Sequence, residues 1–408
     1  MVTFIQSLIV VIESFIIFSL FKKFKPFDPI LIFGCLIFFY SNSLFFDYIL
    51  FGIDHIYLES FGYTYYFDSN QNLFLSIYAL LFLVSTKYFS NNIFGLRNQS
   101  SNTINISRNV SLFDVLLLSI SIGILTFYIV LNFKNYRFDL MGTENLFEFI
   151  VINILVYLIV FLTIHKDLHL ISKLFFIFFI FLYGFITYQR ELIVFSFYMI
   201  IIIFNFKFNL KFYLLTFFAL LTVGFSKFYT NVFKSFFQPE VINTTVNSFS
   251  FTKIDPASSY YLFDSVVNDT LLHSNYLMSI FSQPYYQIIR VFTGIKNLSP
   301  AEFTTEFLTH NYMGTAYSVF AESYLNFGIA GAIIFPFLFI NIFFVFKKYF
   351  LSCYGIYLFI WFVFFIKIIR TDFTTTIKIY IIPILFSFLI ILFFNYLNKN
   401  VFKKHHSS

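Results

Sequence analysis

The stretch LFFIFFIFLYGFITYQRELIVFSFYMIIIIFNF, residues 174–206, decides the fold. Two apolar runs, Leu174–Tyr188 and Leu192–Phe206, are separated by a short polar turn, Gln189-Arg190-Glu191. Lipid offers the backbone no hydrogen-bond partner, so apolar runs of this kind read as membrane helices joined by a hairpin. Runs of about 18 or more apolar residues recur along the whole chain. Of its 408 residues only 11% are charged, and the mean hydropathy is +0.82; a soluble domain carries about 25% charge. The sequence therefore predicts an all-α, polytopic membrane protein, a single membrane domain over 1–408. The 70 Phe and 29 Tyr reflect a coding bias, so a Phe stripe carries little functional information.

The apolar runs predict about eleven spans, at roughly 2–21, 28–46, 71–86, 111–132, 146–164, 174–188, 192–206, 212–228, 324–346, 350–369 and 377–397. The first reads as a retained helix, because no basic region precedes it and no small-residue cleavage site follows. Net charge is +6. In a membrane protein that excess reports orientation rather than nucleic-acid binding. Lys22, Lys23 and Lys25 share one side with Lys87, Arg97, Arg108, Lys166, Lys173, Lys207, Lys211, Lys347, Lys348, Lys399, Lys403 and Lys404. That side is expected to be cytoplasmic, with the C-terminus inside and the N-terminus outside.

The opposite side carries a long segment, 229–315, too polar to span and too long for a plain connector. Two helix starts are legible in it. Asp255 precedes Pro256, and Ser299-Pro300-Ala301-Glu302 is a capping box with proline at the first helical position. The segment is expected to form a partly helical lid. A second outer loop, 47–70, holds Asp47, Asp54, Glu59 and Asp68 without Lys or Arg. Cys35 and Cys353 fall inside apolar runs and suggest neither disulfide nor metal.

Arginine carries the functional signal. Only six are present, and Arg137, Arg190, Arg290 and Arg370 fall on the outer side, whereas thirteen of twenty lysines fall inside. Orientation is served equally by either residue. An outer preference for arginine points to the planar fork that grips phosphate or carboxylate through two bonds. The competing reading makes these residues interface anchors or partners of Asp139, Glu191 and Asp372. Arg190 stands apart. The chain from Lys173 to Arg190, and again from Arg190 to Lys207, reaches only about 25 Å against roughly 30 Å of hydrocarbon. Arg190 and Glu191 are expected to end below the outer surface, where a charge usually lines a hydrated cavity.

His310 and Glu322 lie near the outer end of the ninth span, and either has the chemistry to take a proton from a hydroxyl. The competing readings are a solvated loop histidine and a helix-start charge. Glu13, near mid-membrane, reads as structural, paired with a polar neighbour. Gly328 and Gly331 read as close helix packing. No P-loop, GxGxxG or HExxH is present, so neither a nucleotide nor a metal is expected.

The block YSVFAESYLNFGIAGAIIFPFLF, residues 317–339, resembles the O-antigen polymerases of the Wzy type. In that family an acidic residue followed by Tyr-Leu-Asn-Phe-Gly opens a late membrane helix. TYQRELIVF, residues 187–195, is similar to the family's arginine-bearing outer hairpin, and IIRTDF, with Arg370, fits its C-terminal arginine. The resemblance implies an inverting, membrane-embedded glycosyltransferase of the bacterial inner membrane, its active site facing the periplasm. Its substrates would be oligosaccharide repeat units on undecaprenyl pyrophosphate, without cofactor, metal or nucleic acid. A chain-length regulator and a flippase would be its protein partners. Arg190, Arg370, Arg290 and Arg137 would bind pyrophosphate, with Glu322 or His310 as base. An O-antigen ligase, another lipid-linked glycan transferase, a lipid-linked oligosaccharide flippase and a membrane scaffold remain as alternatives.

Overall fold

The computed structural model describes residues 2–58, 63–67, 69–92, 104, 106–133, 146–187, 189–209, 211–212, 214, 216, 263, 267, 319–347, 349–369 and 376–405. The described chain is helical but for one short antiparallel hairpin. Six of its segments are long and apolar enough to cross a membrane: Val2–Lys23, Pro29–Phe51, Asn70–Asn91, Leu112–Val130, Val319–Lys347 and Leu351–Ile368. Four further apolar helices are shorter. Helices stand at ten of the eleven expected spans; the eighth, 212–228, is largely outside the described residues, as are both capped helix starts at Asp255 and Ser299.

The chain gathers into two compact units. The first holds α1 (Val2–Lys23), α2 (Pro29–Phe51), β1 (His55–Leu58), β2 (Tyr63–Tyr66) and α3 (Asn70–Asn92). Asp28 starts α2: its carboxylate accepts the Ile30 amide at 3.0 Å and Pro29 follows, a favoured N-cap. Gly52 ends α2 at φ 67°, a left-handed stop that suits glycine. β1 pairs with β2, His55 opposite Tyr66. The loop at 47–70, read for its acid content, thus holds a hairpin whose Ile-Tyr and Tyr-Thr-Tyr-Tyr stretches favour strands. Gln6 Nε2 donates to the Phe67 carbonyl at 3.1 Å, and Lys23 Nζ to the Ser90 carbonyl at 2.7 Å. These two ties set α1 parallel to α3.

Unit 1 also holds α8 (Val319–Phe327) and α9 (Gly331–Lys347). The single apolar span expected at 324–346 is broken here. α8 stops after nine residues, Gly328 takes φ 58°, and one 3₁₀ turn, Gly328–Ala330, leads into α9. A Cβ on Gly331 would lie 2.6 Å from both the Ser323 carbonyl carbon and the Tyr78 hydroxyl. Eight residues along a straight helix advance about 12 Å, so this contact requires the chain to fold back. Gly331 serves packing as expected, whereas Gly328 makes the turn. α10 (Tyr354–Ile368) gives its residues from Trp361 to this unit, where Phe365 stacks on Phe33 at 4.4 Å.

The second unit holds α4 (Leu112–Phe133), α5 (Leu146–His165), α6 (Leu170–Ile186), α7 (Arg190–Ile203), the start of α10, and α11 (Ile382–His405). Ser111 and Asp114 cap α4 reciprocally: the Ser111 amide and hydroxyl each donate to Asp114 Oδ2 at 2.7 Å. Lys166 Nζ closes on the same oxygen at 2.8 Å, both side chains almost fully buried. Gly184 and Gly355 allow close approach, since added Cβ atoms would meet Leu192 at 2.7 Å and Ile164 at 2.6 Å.

Candidate functional site

In the second unit the opening hairpin is as short as its sequence suggests. α6 has 17 residues and α7 has 14. Phe359 fixes the level of α7 against α5, because its ring lies 6.4 Å from Tyr157, 6.2 Å from Phe161, 5.4 Å from Phe195 and 6.3 Å from Tyr198. Residues 157–161 of α5 are therefore level with residues 195–198 of α7. Counting back to each helix start, α7 begins about 9 Å further along the shared direction than the parallel α5.

Around this start four polar groups from three places meet or approach. Tyr380 belongs to a π turn, Thr376–Ile381, ahead of α11, and its hydroxyl donates to Glu191 Oε1 at 3.3 Å. Single π turns often occur at functional sites. Glu191 stands in the first turn of α7, where the helix dipole favours an anion. Tyr157, 1% exposed, feels the Glu191 charge, yet its hydroxyl has no hydrogen-bond partner. Gln189 Nε2 is likewise buried without a partner. Native interiors rarely leave buried donors unpaired, because each costs roughly 1–3 kcal/mol. One orphan donor stands at the arginine-bearing helix start and a second in the neighbouring α5, each open to a ligand oxygen.

In the first unit Glu322 lies in the first turn of the half-helix α8 and is 2% exposed. Asn326 Nδ2 donates to its backbone carbonyl at 2.9 Å. Next to it, Ser323 Oγ bonds the Tyr78 hydroxyl at 2.8 Å, which pins α8 to α3. An aromatic group covers this face. Phe263, from the segment expected to form a lid, is 1% exposed and stacks on Phe74 at 5.7 Å, with Tyr78 at 5.3 Å and Tyr324 at 5.8 Å. Helices interrupted within an apolar span are a recurring way to place polar groups at membrane depth.

Of the six residues singled out in the sequence, only Glu322 has a described side chain. Arg190 opens α7, but its side chain lies outside the described set, and Arg137, Arg290, Arg370 and His310 lie wholly outside it. No two of the six fall within the described part of one unit. Glu322 belongs to unit 1 and Arg190 to unit 2. Sequence reasoning missed Tyr157 and Tyr380 and read Gln189 only as part of the polar turn. Among the described residues no three His, Cys, Asp or Glu side chains form a metal-ligand group.

Compared with protein-family models, with curated proteins and with solved structures, the chain matches none. Its own architecture defines its class, a helical membrane protein with a polar turn between two short helices in one unit and a broken, acid-bearing helix in the other.

Proposed function

We propose that the protein joins lipid-linked oligosaccharide repeat units at the periplasmic face of a bacterial inner membrane, as an inverting glycosyltransferase. The observation that carries this reading is two buried, unpartnered donors, Gln189 Nε2 at the α7 start and Tyr157 Oη in the neighbouring α5. A glycan chain on undecaprenyl pyrophosphate is already activated, so the chemistry needs no nucleotide. A hydroxyl of the incoming unit attacks the anomeric carbon, the bond from that carbon to the pyrophosphate oxygen breaks, and negative charge grows on the leaving group. Groups preorganised to meet that charge are the largest source of rate. Arg190 supplies the fork, Tyr157 and Gln189 supply two further hydrogen bonds, and Glu191, held by Tyr380, positions the guanidinium. Arg370, Arg290 and Arg137 are the other pyrophosphate-binding candidates. Glu322 or His310 takes the proton of the attacking hydroxyl.

The broken α8–α9 helix also supports a second reading, a transporter of the same lipid-linked glycan, since interrupted helices are common there. Lipopolysaccharide from a deletion strain separates the two on a silver-stained gel. Loss of a polymerase leaves core plus one repeat unit. Loss of a transporter or a ligase leaves core with none. Complementation with Arg190→Lys, checked by blot for protein level, then tests the site. Lysine keeps the charge and loses the bidentate geometry, so the ladder is expected to collapse. A full ladder from well-expressed Arg190→Lys returns this residue to an interface anchor.

A further inference from the structure

Glu13 belongs to neither cluster. It lies in the middle of α1, ten residues from Lys23 and eleven from Val2, about 15 Å from either end, and is 0% exposed. Asn42 Nδ2 donates to its Oε2, while Oε1 has no partner. Among the described residues no cation pairs with Glu13. An ionised carboxylate without a counter-charge at this depth costs several kcal/mol.

The same face of α1 carries Gln6 two turns away, also buried, at the hairpin end. Gln6 Nε2 and Asn72 Nδ2 both donate to the Phe67 carbonyl, at 3.1 and 2.8 Å. Gln6 Oε1 and Asn72 Oδ1 are buried and unpartnered. On the facing helix α2, Ser41, Asn42, Ser43 and Asp47 are all buried. Three orphan oxygens therefore lie between the hairpin end and the middle of α1, each lacking a donor. Only a proton on Glu13, and waters beyond it, satisfy such a row without adding charge.

We propose that Glu13 is a proton-binding site at mid-membrane depth, reached by water from the hairpin end past Gln6 and Asn72. The carboxyl is carried neutral. Its Oε2 accepts from Asn42 and its O–H sits on Oε1, facing the row. On α2, Tyr40 is two residues from Asn42 and has interactions of its own; the other charged and titratable groups of the neighbouring elements lie further off. On α1, Lys22 and Lys23 stand at the far end. On α2, Asp47 is five residues toward the hairpin, about 7 Å, with partners of its own, and Cys35 is seven residues the other way. On α3, the Tyr78 hydroxyl is bonded to Ser323, and Lys87 lies about two turns beyond the level of Glu13. This site is independent of the glycan reading.

Infrared spectroscopy of the purified protein in lipid tests it. The wild-type spectrum minus that of Glu13→Gln is expected to show one protonated-carboxyl band at neutral pH. The band should shift when the buffer is exchanged for deuterium oxide, and its frequency should move in Asn42→Leu. Glutamine has the shape of the neutral acid, so Glu13→Gln is expected to fold. A difference spectrum with carboxylate bands only overturns the proposal. A protonated band that ignores deuterium oxide overturns it too, because the site then exchanges with nothing.

Discussion

Gly331→Ala is the sharpest probe of the broken helix that carries Glu322. Carbon atoms pack at about 3.5–4.0 Å, and the new methyl would sit 2.6 Å from both the Ser323 carbonyl carbon and the Tyr78 hydroxyl. The first obstacle is backbone, with no rotamer to escape into. α8 and α9 must part by about 1 Å, an overpacking strain that costs roughly 1–3 kcal/mol. The displaced Tyr78–Ser323 hydrogen bond adds about 1 kcal/mol. A loss of about 3 kcal/mol is expected, near the upper end of what single substitutions cost. Two controls bracket it. Gly328→Ala, at φ 58°, should cost about 1–2 kcal/mol through the left-handed backbone alone. Gly123→Ala, where an added Cβ meets nothing within 4 Å, should be neutral or slightly stabilising. Helix signal during detergent-induced unfolding of the purified protein gives all three. Gly331→Ala indistinguishable from wild type, or milder than Gly328→Ala, refutes the fold-back contact.

Tyr157→Phe removes a buried hydroxyl without a partner. The purified protein should gain up to about 1 kcal/mol, while a complemented deletion strain shortens its glycan ladder; a loss of stability instead would show that the hydroxyl serves packing. Asp28 lies in the turn before α2, and burial pushes its carboxyl up from 3.8 to about 6, against the Ile30 amide and the nearby Lys347 and Lys23. The folded state then binds the proton more tightly than the unfolded chain. Stability should fall as pH rises from about 4 to 6 and stay level above, by roughly 3 kcal/mol in all. Asp28→Asn, which still caps a helix, should flatten that slope in a pH series of unfolding midpoints, and an unchanged slope would place the titration elsewhere. Asp114→Ala strands the buried Lys166 charge and should cost about 3–5 kcal/mol, whereas Asp114→Leu with Lys166→Met should recover most of it. No recovery would mean that the pair is held for the cap rather than for charge.

The positions of the helices were legible because apolar length is a requirement of lipid, and 70 Phe residues do not blur it. The break at Gly328 was not. Asn326-Phe327-Gly328 is compatible with a continuous helix, and only the contact between Gly331 and Ser323 forces the reversal. The hairpin at 55–66 was hidden because the loop was read for its charges and not for its alternating tyrosines. Glu322 was legible as a candidate, and so was the need of Glu13 for a polar partner, supplied by Asn42. Tyr157 and Tyr380 carried no local signal. One tyrosine among 29 in a Phe-rich background becomes notable only when its hydroxyl is seen to lack a partner, or to reach Glu191 from a π turn.

The Asp114–Lys166 pair bears on how the chain is made. Lys166 follows Asp114 by 52 residues, so at about 5–20 residues per second the ribosome delivers the cation roughly 3–10 s after the carboxylate. Over that interval Asp114 would have to settle at the membrane edge without it. Ser111, three residues away, offers both its amide and its hydroxyl to Asp114, and these bonds form as soon as the first turn of α4 does. The serine is a provisional partner that belongs to the timing of synthesis, and the lysine that completes the pair arrives only when α5 has been laid down beside it.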